Sequence, residues 1–597
     1  MLVFGDVECI ETVRDKQDSI LAHLDRMSAL PPGGERHAAL VAAFIGTSEL
    51  VQAVIDADFE ARGLDTLSAV HAKGIECLSL LAHGIVQSWQ SGFSQAALPE
   101  VFRDELLSFD SSLTIRTKQA EGYAFYALYP ESYVEAAVRS GLGTNTQVIG
   151  IRSIGAGLSA LVAAALGARA ALTLRPVGHP FRREVDVDSE VTAMLTQDPD
   201  AAFAVVDEGP GLSGSSFGAV ADWLEAAGVS RQRIHFFPSH AGPLGPQARP
   251  EHRERWDGAP RHVVGMDQLL CHEDHPHLRR WVEGLVGPLK GSFRDISGGA
   301  WRELRYRNRS TWPAANIQQE RRKFLARTEG GIWLVKFAGL GDIGLEKHAL
   351  ARRLYEAGFT PEVAGRCHGF LVERWHEQAH SLDRHPIARD RLVRRIGAYL
   401  GFRARHLPAR SRQGASLIGL RDMALHNVKQ ALGEPARAAL APLLQNATTL
   451  SGTVNRVLTD NRMQAREWIL VDGKMIKTDA LDHCAAHDLV GCQDITWDIA
   501  GAAVEFGLSD RRTRDLCAVV QEESARPVSL ALLSFMLPCY LAFQLGAHDM
   551  AADALKGTEE EDRLRLAAHN YGALLQSYLD HPHRLGFDEE QDKDPAS

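Results

Sequence analysis

A chain of 597 residues is longer than one hydrophobic core supports and is expected to hold about three domains. Its make-up, 45% hydrophobic and 24% charged residues, is that of a globular protein and excludes a fibrous or low-complexity chain. The net charge of −11 excludes a global pull toward nucleic acid or acidic membranes. Eight scattered cysteines without a C-x-x-C pair, with no signal peptide, read as a reduced, cytoplasmic protein.

Residues from about 10 to 105 read as helical. Asp18–Met27, Arg36–Ile55 and Leu67–Gln90 carry apolar residues at three- and four-residue spacing, and Pro31-Pro32-Gly33-Gly34 breaks the first from the second. No catalytic constellation appears there, so packing or homodimer formation is its expected role. From Leu113 the texture changes to strands alternating with helices, as a mostly parallel α/β sheet requires. Tyr123–Tyr133, with four tyrosines, fits the first hairpin or strand–helix unit of that sheet.

Three apolar runs then end in loops with chemistry on them. Val148–Ile151 leads into Arg152-Ser153-Ile154-Gly155, and Ala170–Leu174 leads into Arg175-Pro176-Val177-Gly178-His179-Pro180-Phe181-Arg182-Arg183. Ala204–Val206 leads into Asp207-Glu208-Gly209-Pro210-Gly211-Leu212-Ser213-Gly214-Ser215-Ser216 and then a helix. Two adjacent carboxylates suit a sugar diol. A Gly/Ser turn at a helix N-terminus offers N–H groups and hydroxyls to a phosphate. The arginines suit an anionic ligand, because guanidinium forks match phosphate oxygens. A further strand, Ile234–Pro238, ends at Ser239-His240.

These residues resemble the phosphoribosyl-diphosphate (PRPP) motif of type I phosphoribosyltransferases: a hydrophobic strand, two acids, three variable residues, then a Thr-Gly-Gly-Thr-like loop. Leu212 for a hydroxyl residue and Ser213 for glycine depart from it. The resemblance implies that Asp207 and Glu208 hold the ribose hydroxyls and that Gly211 to Ser216 cradle the 5-phosphate. It implies Arg152, Ser153, Gly155, Arg175 and His179 around the diphosphate, His240 near the acceptor base, and Mg²⁺ between ribose and diphosphate oxygens.

Beyond Gly291 the order of features changes. Ile296-Ser297-Gly298-Gly299-Ala300-Trp301 reads as a glycine turn between strand-like runs, and Ile332–Phe337 places Lys336 inside an apolar strand. Glu346 follows on a helical pattern, and Phe370–Trp375 is another apolar strand. Asp460 precedes a hairpin-like Trp468–Lys477, then Asp479, and later Asp498. The series resembles protein-kinase-like phosphotransferases, especially aminoglycoside phosphotransferases. That implies Gly298, Gly299, Lys336 and Glu346 at ATP, Asp460 at the acceptor hydroxyl, Asp479 on Mg²⁺ and Asp498 in a structural role. The family's His-Gly-Asp is absent, and Ala465 stands where its Asn belongs. Asp422 and Asn427 form a second-ranked catalytic loop. Asp479, Asp482, His483, Cys484, His487 and Asp488 also admit a Zn²⁺ reading, ranked below Mg²⁺ at Asp479.

The expected architecture is multidomain α/β and α+β. A helical region spans 1–108, a phosphoribosyltransferase-like parallel sheet 109–287, a bilobal kinase-like domain 288–585, and an acidic disordered tail 586–597. The run Ser529–Phe543 reads as a buried helix too short to span a bilayer. The expected function is a bifunctional cytosolic enzyme that transfers a phosphoribosyl group from PRPP to a small acceptor and phosphorylates a related metabolite. The alternative is a non-catalytic PRPP and nucleotide sensor whose pseudokinase domain regulates a partner.

Overall fold

The computed structural model describes residues 8–95, 98–272, 277–409, 414–484, 490–582 and 584–586. His487, Asp488 and the tail from 587 onward lie outside the described residues.

Strand β1 (Glu8–Thr12) enters helix α1 (Val13–Ala29) through a capping box. The Thr12 hydroxyl accepts the Asp15 N–H at 3.1 Å, and the Asp15 carboxylate accepts the Thr12 N–H at 3.0 Å. Helices α2 (Gly34–Arg62) and α3 (Ala69–Gln90) come next. From Leu40 to Ile55, α2 is buried almost all round, as a helix without a polar stripe must be. Strand β2 (Thr114–Lys118) pairs antiparallel with β1 and so brings the chain back beside the start of α1.

The tyrosine stretch forms no strand. It holds a short helix, Glu121–Phe125, and then α4 (Pro130–Arg139), with Tyr123, Tyr129 and Tyr133 buried. Tyr123 and Tyr133 lie on these two separate helices, and Tyr129 is the extended residue that caps the second.

The α/β unit contains β3 (Thr146–Ile151), helix α5 (Gly155–Leu166), β4 (Leu172–Leu174) and a hairpin of β5 (Pro176–His179) and β6 (Arg182–Val185). It continues with β7 (Ala202–Val206), α6 (Ser215–Ala226) and β8 (Ile234–Phe237). Its sheet is wholly parallel, in the order β4-β3-β7-β8. Val148, Ala204 and Val206 pack toward the amino-terminal helices, while Ile149, Val205 and Phe236 pack on the other face with Phe217 and Trp256. Burial on both faces explains the continuous apolar runs. Beyond the sheet come a π turn at Asp267–Cys271 and a helix at His277–Val286.

Next comes an antiparallel sheet of β9 (Arg294–Asp295), β10 (Lys323–Thr328), β11 (Gly331–Phe337), β12 (Val363–Cys367) and β13 (Phe370–Trp375), in the order β12-β13-β11-β10-β9. Helix α7 (Gly341–Glu356) connects β11 to β12. The Gly298-Gly299 turn runs from β9 into a short helix, Arg302–Arg305, and not into a second strand. One hydrophobic core runs from Val13 through the parallel sheet to Phe370 and Val372, crossing the boundaries expected near 108 and 287.

The carboxyl-terminal lobe starts with β14 (His380–Ser381), α8 (Arg389–His406) and α9 (Leu417–Leu432). After β15 (Arg456–Val457), strands β16 (Trp468–Val471) and β17 (Lys474–Lys477) form the expected hairpin, and β14 joins its edge. Strand β18 (Gln493–Asp494) and helices α10 (Thr496–Glu505), α11 (Asp510–Ser524), α12 (Leu530–Ala554) and α13 (Glu559–Asp580) complete it. Helix α12 runs well past the expected apolar stretch, because its far end packs on α13. By length and composition α2 and α12 are each long and apolar enough to cross a membrane, and both are mostly buried inside the protein.

Candidate functional site

The chain leaves β3 toward β4 on one side and returns to β7 on the other. The carboxyl ends of β3 and β7 therefore flank a topological switch point, where open α/β sheets form their crevices. A cavity of about 350 Å³ lies there, walled by Ser153, Arg175, Arg183, Asp207, Glu208 and Tyr123. Gly155 permits the close approach of the two loops, since a Cβ at that position would stand 2.6 Å from the Val206 carbonyl oxygen.

Asp207 and Glu208 are only partly exposed. Burial pushes the Asp207 carboxyl up to about 7 against the backbone N–H groups of Glu208 and Gly155 and the Arg175 charge. Burial, then the neighbouring charges of Asp207 and Glu121, push Glu208 up to about 8. Asp207 Oδ1 and the Tyr123 hydroxyl are buried without a hydrogen-bond partner. Such orphaned polar atoms in a cavity are where a ligand hydroxyl or a hydrated cation gains most.

The surrounding residues only partly match the expected arrangement. Arg152 is committed inside the protein: its guanidinium pairs with Asp56 at 2.8 Å and Asp65 at 2.5 Å and donates to the Thr173 carbonyl at 3.0 Å. It buttresses the wall instead of offering a free fork to a diphosphate. Arg175 pairs with Asp56 at 2.7 Å and donates to the Arg152 carbonyl at 2.8 Å. Gly211 and Gly214 adopt positive φ, 62° and 60°, a conformation that favours glycine. Leu212 is exposed, and the Ser213 and Ser215 hydroxyls donate to the Pro180 carbonyl of the β5–β6 hairpin, at 3.4 and 2.6 Å. Of the expected phosphate loop, Ser216 lines the cavity. His179 and His240 stand outside the cavity wall, and each accepts a local backbone N–H at 3.2 Å.

A second cavity, of about 410 Å³, opens between the antiparallel sheet and the carboxyl-terminal lobe. Lys336 projects from β11 into it, and its ammonium is gripped by Asp479 and Asp482. Lys347 on α7 holds Asp482 from behind at 2.6 Å, with both side chains buried. Burial opposes these charges, but the lysines hold both aspartates well below the usual carboxylate range and the aspartates raise Lys336. Burial lowers Lys347. Glu373 on β13 is pushed up to about 7 by burial, with Asp479 and Asp482 adding to the shift. Asp479 sits at φ 50°, in the left-handed region that aspartate tolerates better than most non-glycine residues.

Lys336 is paired by Asp479 and Asp482 in place of the expected Glu346. Glu346 is exposed, and Lys347 beside it faces the site. The buried positions of α7, Gly341, Gly344, Lys347, Leu350 and Leu354, share one helical face, so the phase of the apolar pattern already pointed to Lys347. The glycine turn is satisfied within the protein: the Gly299 N–H donates to Glu320 at 2.8 Å, and neither Gly298 nor Gly299 lines the cavity.

Asp460 is also displaced from its expected place. It is wholly buried, accepts from the Tyr399 hydroxyl, and lies 3.6 Å from Arg403 and 3.4 Å from Lys477. Asp498 anchors its loop by accepting the N–H groups of Asp460 and Asn461 at 2.7 and 2.9 Å. Further along the loop, Arg462 and Gln464 line the cleft. Glu467, Asp479 and His483 bring one ligand atom each within 4.8 Å of one another, a set that fits a divalent cation. Sequence reasoning missed Glu467, whose acid character stands out only once β17 folds back beside it. Asp422 and Asn427 lie within α9, where the Asn427 amide donates to the Ala542 carbonyl at 3.2 Å.

No family model and no curated protein matches the sequence. Among solved structures, choline kinase LicA from Streptococcus pneumoniae is 15% identical, over 43% of this chain and 90% of its own, with a TM-score of 0.30. Spectinomycin phosphotransferase APH(9)-Ia, in complex with ADP and spectinomycin, is 11% identical over 52% of this chain and 98% of its own, with a TM-score of 0.34. LicA in complex with AMP is 13% identical over 51% and 99%, with a TM-score of 0.31. At such TM-scores these likenesses carry no weight for the chemistry of this chain.

Proposed function

We propose that the chain is a two-site enzyme acting on phosphate-bearing small molecules. Its cleft binds ATP with Mg²⁺ and passes the terminal phosphoryl group to a small acceptor. Its parallel sheet binds PRPP and transfers the phosphoribosyl group. The observation that carries the first part is Lys336 held by Asp479 and Asp482 at the cleft wall. A strand lysine placed there would take nucleotide phosphates, while Asp479 and Glu467 would hold the cation. The second part is supported by Asp207 and Glu208 at the switch point, with an orphaned carboxylate oxygen facing no partner. Mg²⁺ there would neutralise departing diphosphate, and the carboxylates would orient the ribose.

One observation favours a second reading, in which the cleft binds nucleotide without transferring from it. Arg462, and not a carboxylate, faces the cleft where the loop passes it, while Asp460 is sealed beneath. The discriminating experiment is calorimetric titration with ATP and Mg²⁺, then an assay of ATP consumption in a metabolite extract. Binding that is lost in Lys336→Ala together with turnover supports the phosphotransferase. Binding without turnover supports the sensor, and no binding to folded protein rejects both. PRPP is tested in the same way, by diphosphate release compared between wild type and Asp207→Asn/Glu208→Gln.

A further inference from the structure

We propose that His37, Glu131 and His368 form a structural transition-metal site, of the kind that takes Zn²⁺, at the joint between the amino-terminal helices and the antiparallel sheet. His37 comes from α2, Glu131 from the first turn of α4, and His368 from the turn between β12 and β13. The three are at most 5% exposed, and their ligand atoms lie within 4.8 Å of one another. Nε2 of His37 is 2.7 Å from Glu131 Oε1, and Nε2 of His368 is 2.8 Å from the same oxygen. Two imidazole nitrogens converging on one carboxylate leave the second oxygen, Oε2, buried with no hydrogen-bond partner.

The surroundings of Glu131 also suit a cation. The ion-pair partners of this carboxylate among the described residues are these imidazoles alone, with no lysine or arginine. A buried carboxylate oxygen without a partner is costly, because water no longer solvates it. A divalent cation removes that cost and uses Oε2.

The donor set suits such an ion. Two imidazole nitrogens and a carboxylate oxygen bind Zn²⁺ at about 2.0–2.2 Å, a spacing reached if the three side chains spread by roughly 0.5 Å. His37 Nδ1 lies 2.9 Å from the Ser88 hydroxyl, which fixes the ring with Nε2 toward the ion, the outer-shell contact that metal-bound histidines use. The rings of Phe93 and Trp281 lie 4.9 Å from His37 and 5.4 Å from His368, respectively, and shield the group from water. Its consequence reaches both cavities. The Tyr133 hydroxyl, on the same helix as Glu131, donates to the Asp207 carbonyl at 2.9 Å, and the turn carrying His368 closes the strand pair next to β11 and Lys336.

The test uses the full chain, metal-stripped, titrated with zinc against a chromophoric chelator, and then loaded with Co²⁺ for its visible spectrum. Stoichiometric zinc uptake is expected in wild type and in Asp479→Asn, with uptake lost in Glu131→Gln and His368→Ala. The cobalt protein should give intense four-coordinate bands. Folded wild type that takes up no zinc overturns the proposal. Uptake that survives both Glu131→Gln and His368→Ala, or vanishes in Asp479→Asn alone, places the metal elsewhere and overturns it too. If the variants fail to fold, the cobalt spectrum decides: weak six-coordinate bands from the folded wild type reject the site.

Discussion

At the end of β7, Asp207 and Glu208 stand side by side with little cationic relief, and both carboxyls are driven upward, to about 7 and about 8. In the cleft, Asp479 and Asp482 are as crowded, yet Lys336 and Lys347 clamp them and both are driven downward. Each region places paired acids at a cavity, and the two resolve the charge in opposite ways. One waits for an external cation or hydroxyl. The other is neutralised from within, so a nucleotide entering the cleft would have to take Lys336 away from its aspartates, and a cation would replace it.

The largest effect should come from breaking the internal neutralisation. Asp482→Ala leaves the Lys347 ammonium buried without a carboxylate, and removing one member of a buried pair costs about 3–5 kcal/mol. The double replacement Lys347→Met/Asp482→Leu should recover most of that loss, because packed apolar side chains replace buried ions at little cost. Denaturant unfolding of the two variants measures this. A loss below about 1 kcal/mol for Asp482→Ala would mean the clamp is not what holds the lobe closed, since exposed pairs are worth only that much.

The sheet site should show its opposite character as a pH dependence. Asp207 and Glu208 rise from 3.8 and 4.5 when unfolded to about 7 and about 8 when folded, so the folded state binds more protons across that window. Stability therefore falls as pH rises from about 4 to about 8. Asp207→Asn/Glu208→Gln should remove the slope and stand ~2–4 kcal/mol above wild type at pH 8, with the two converging near pH 4. Thermal unfolding at a series of pH values checks it. Mg²⁺ should narrow the gap for wild type only, and a wild type more stable at pH 8 than at pH 5 through these groups would contradict the assignment.

Much of this contrast is legible in the sequence, for reasons that differ by element. Lys336 inside an apolar strand, and Asp207-Glu208 at the end of another, are local exceptions to a buried pattern, and the fold places them at cavities. The parallel and antiparallel strands are readable from runs and alternation. Partners distant in sequence are hidden: Lys347 meets Asp482 across 135 positions, and Glu131 meets His368 across 237. Arg152 is hidden for the same reason, since nothing beside it in sequence announces Asp56 or Asp65. Asp460 departs from its expected place because a loop pattern gives the order of residues but not the side on which a carboxylate emerges. The glycine turn departs from its expected role because Glu320 satisfies it from another segment.

A smaller effect sharpens the comparison at the phosphate loop. Ser215 donates to the Pro180 carbonyl at 2.6 Å and thereby holds the β5–β6 hairpin on the loop, where a phosphate oxygen would otherwise accept the same hydroxyl. Ser215→Ala removes one hydrogen bond and should cost about 1 kcal/mol. The hairpin carries Arg182 and Arg183, exposed or half-buried, so trypsin should nick the variant there faster than wild type. If the cavity takes a phosphate, saturating PRPP should slow nicking in both proteins by holding the loop and its arginines. If PRPP leaves both rates unchanged, the carboxylates of the sheet site answer to some other ligand, and its contrast with the cleft becomes one between an acidic pocket for a cation and a basic one for an anion.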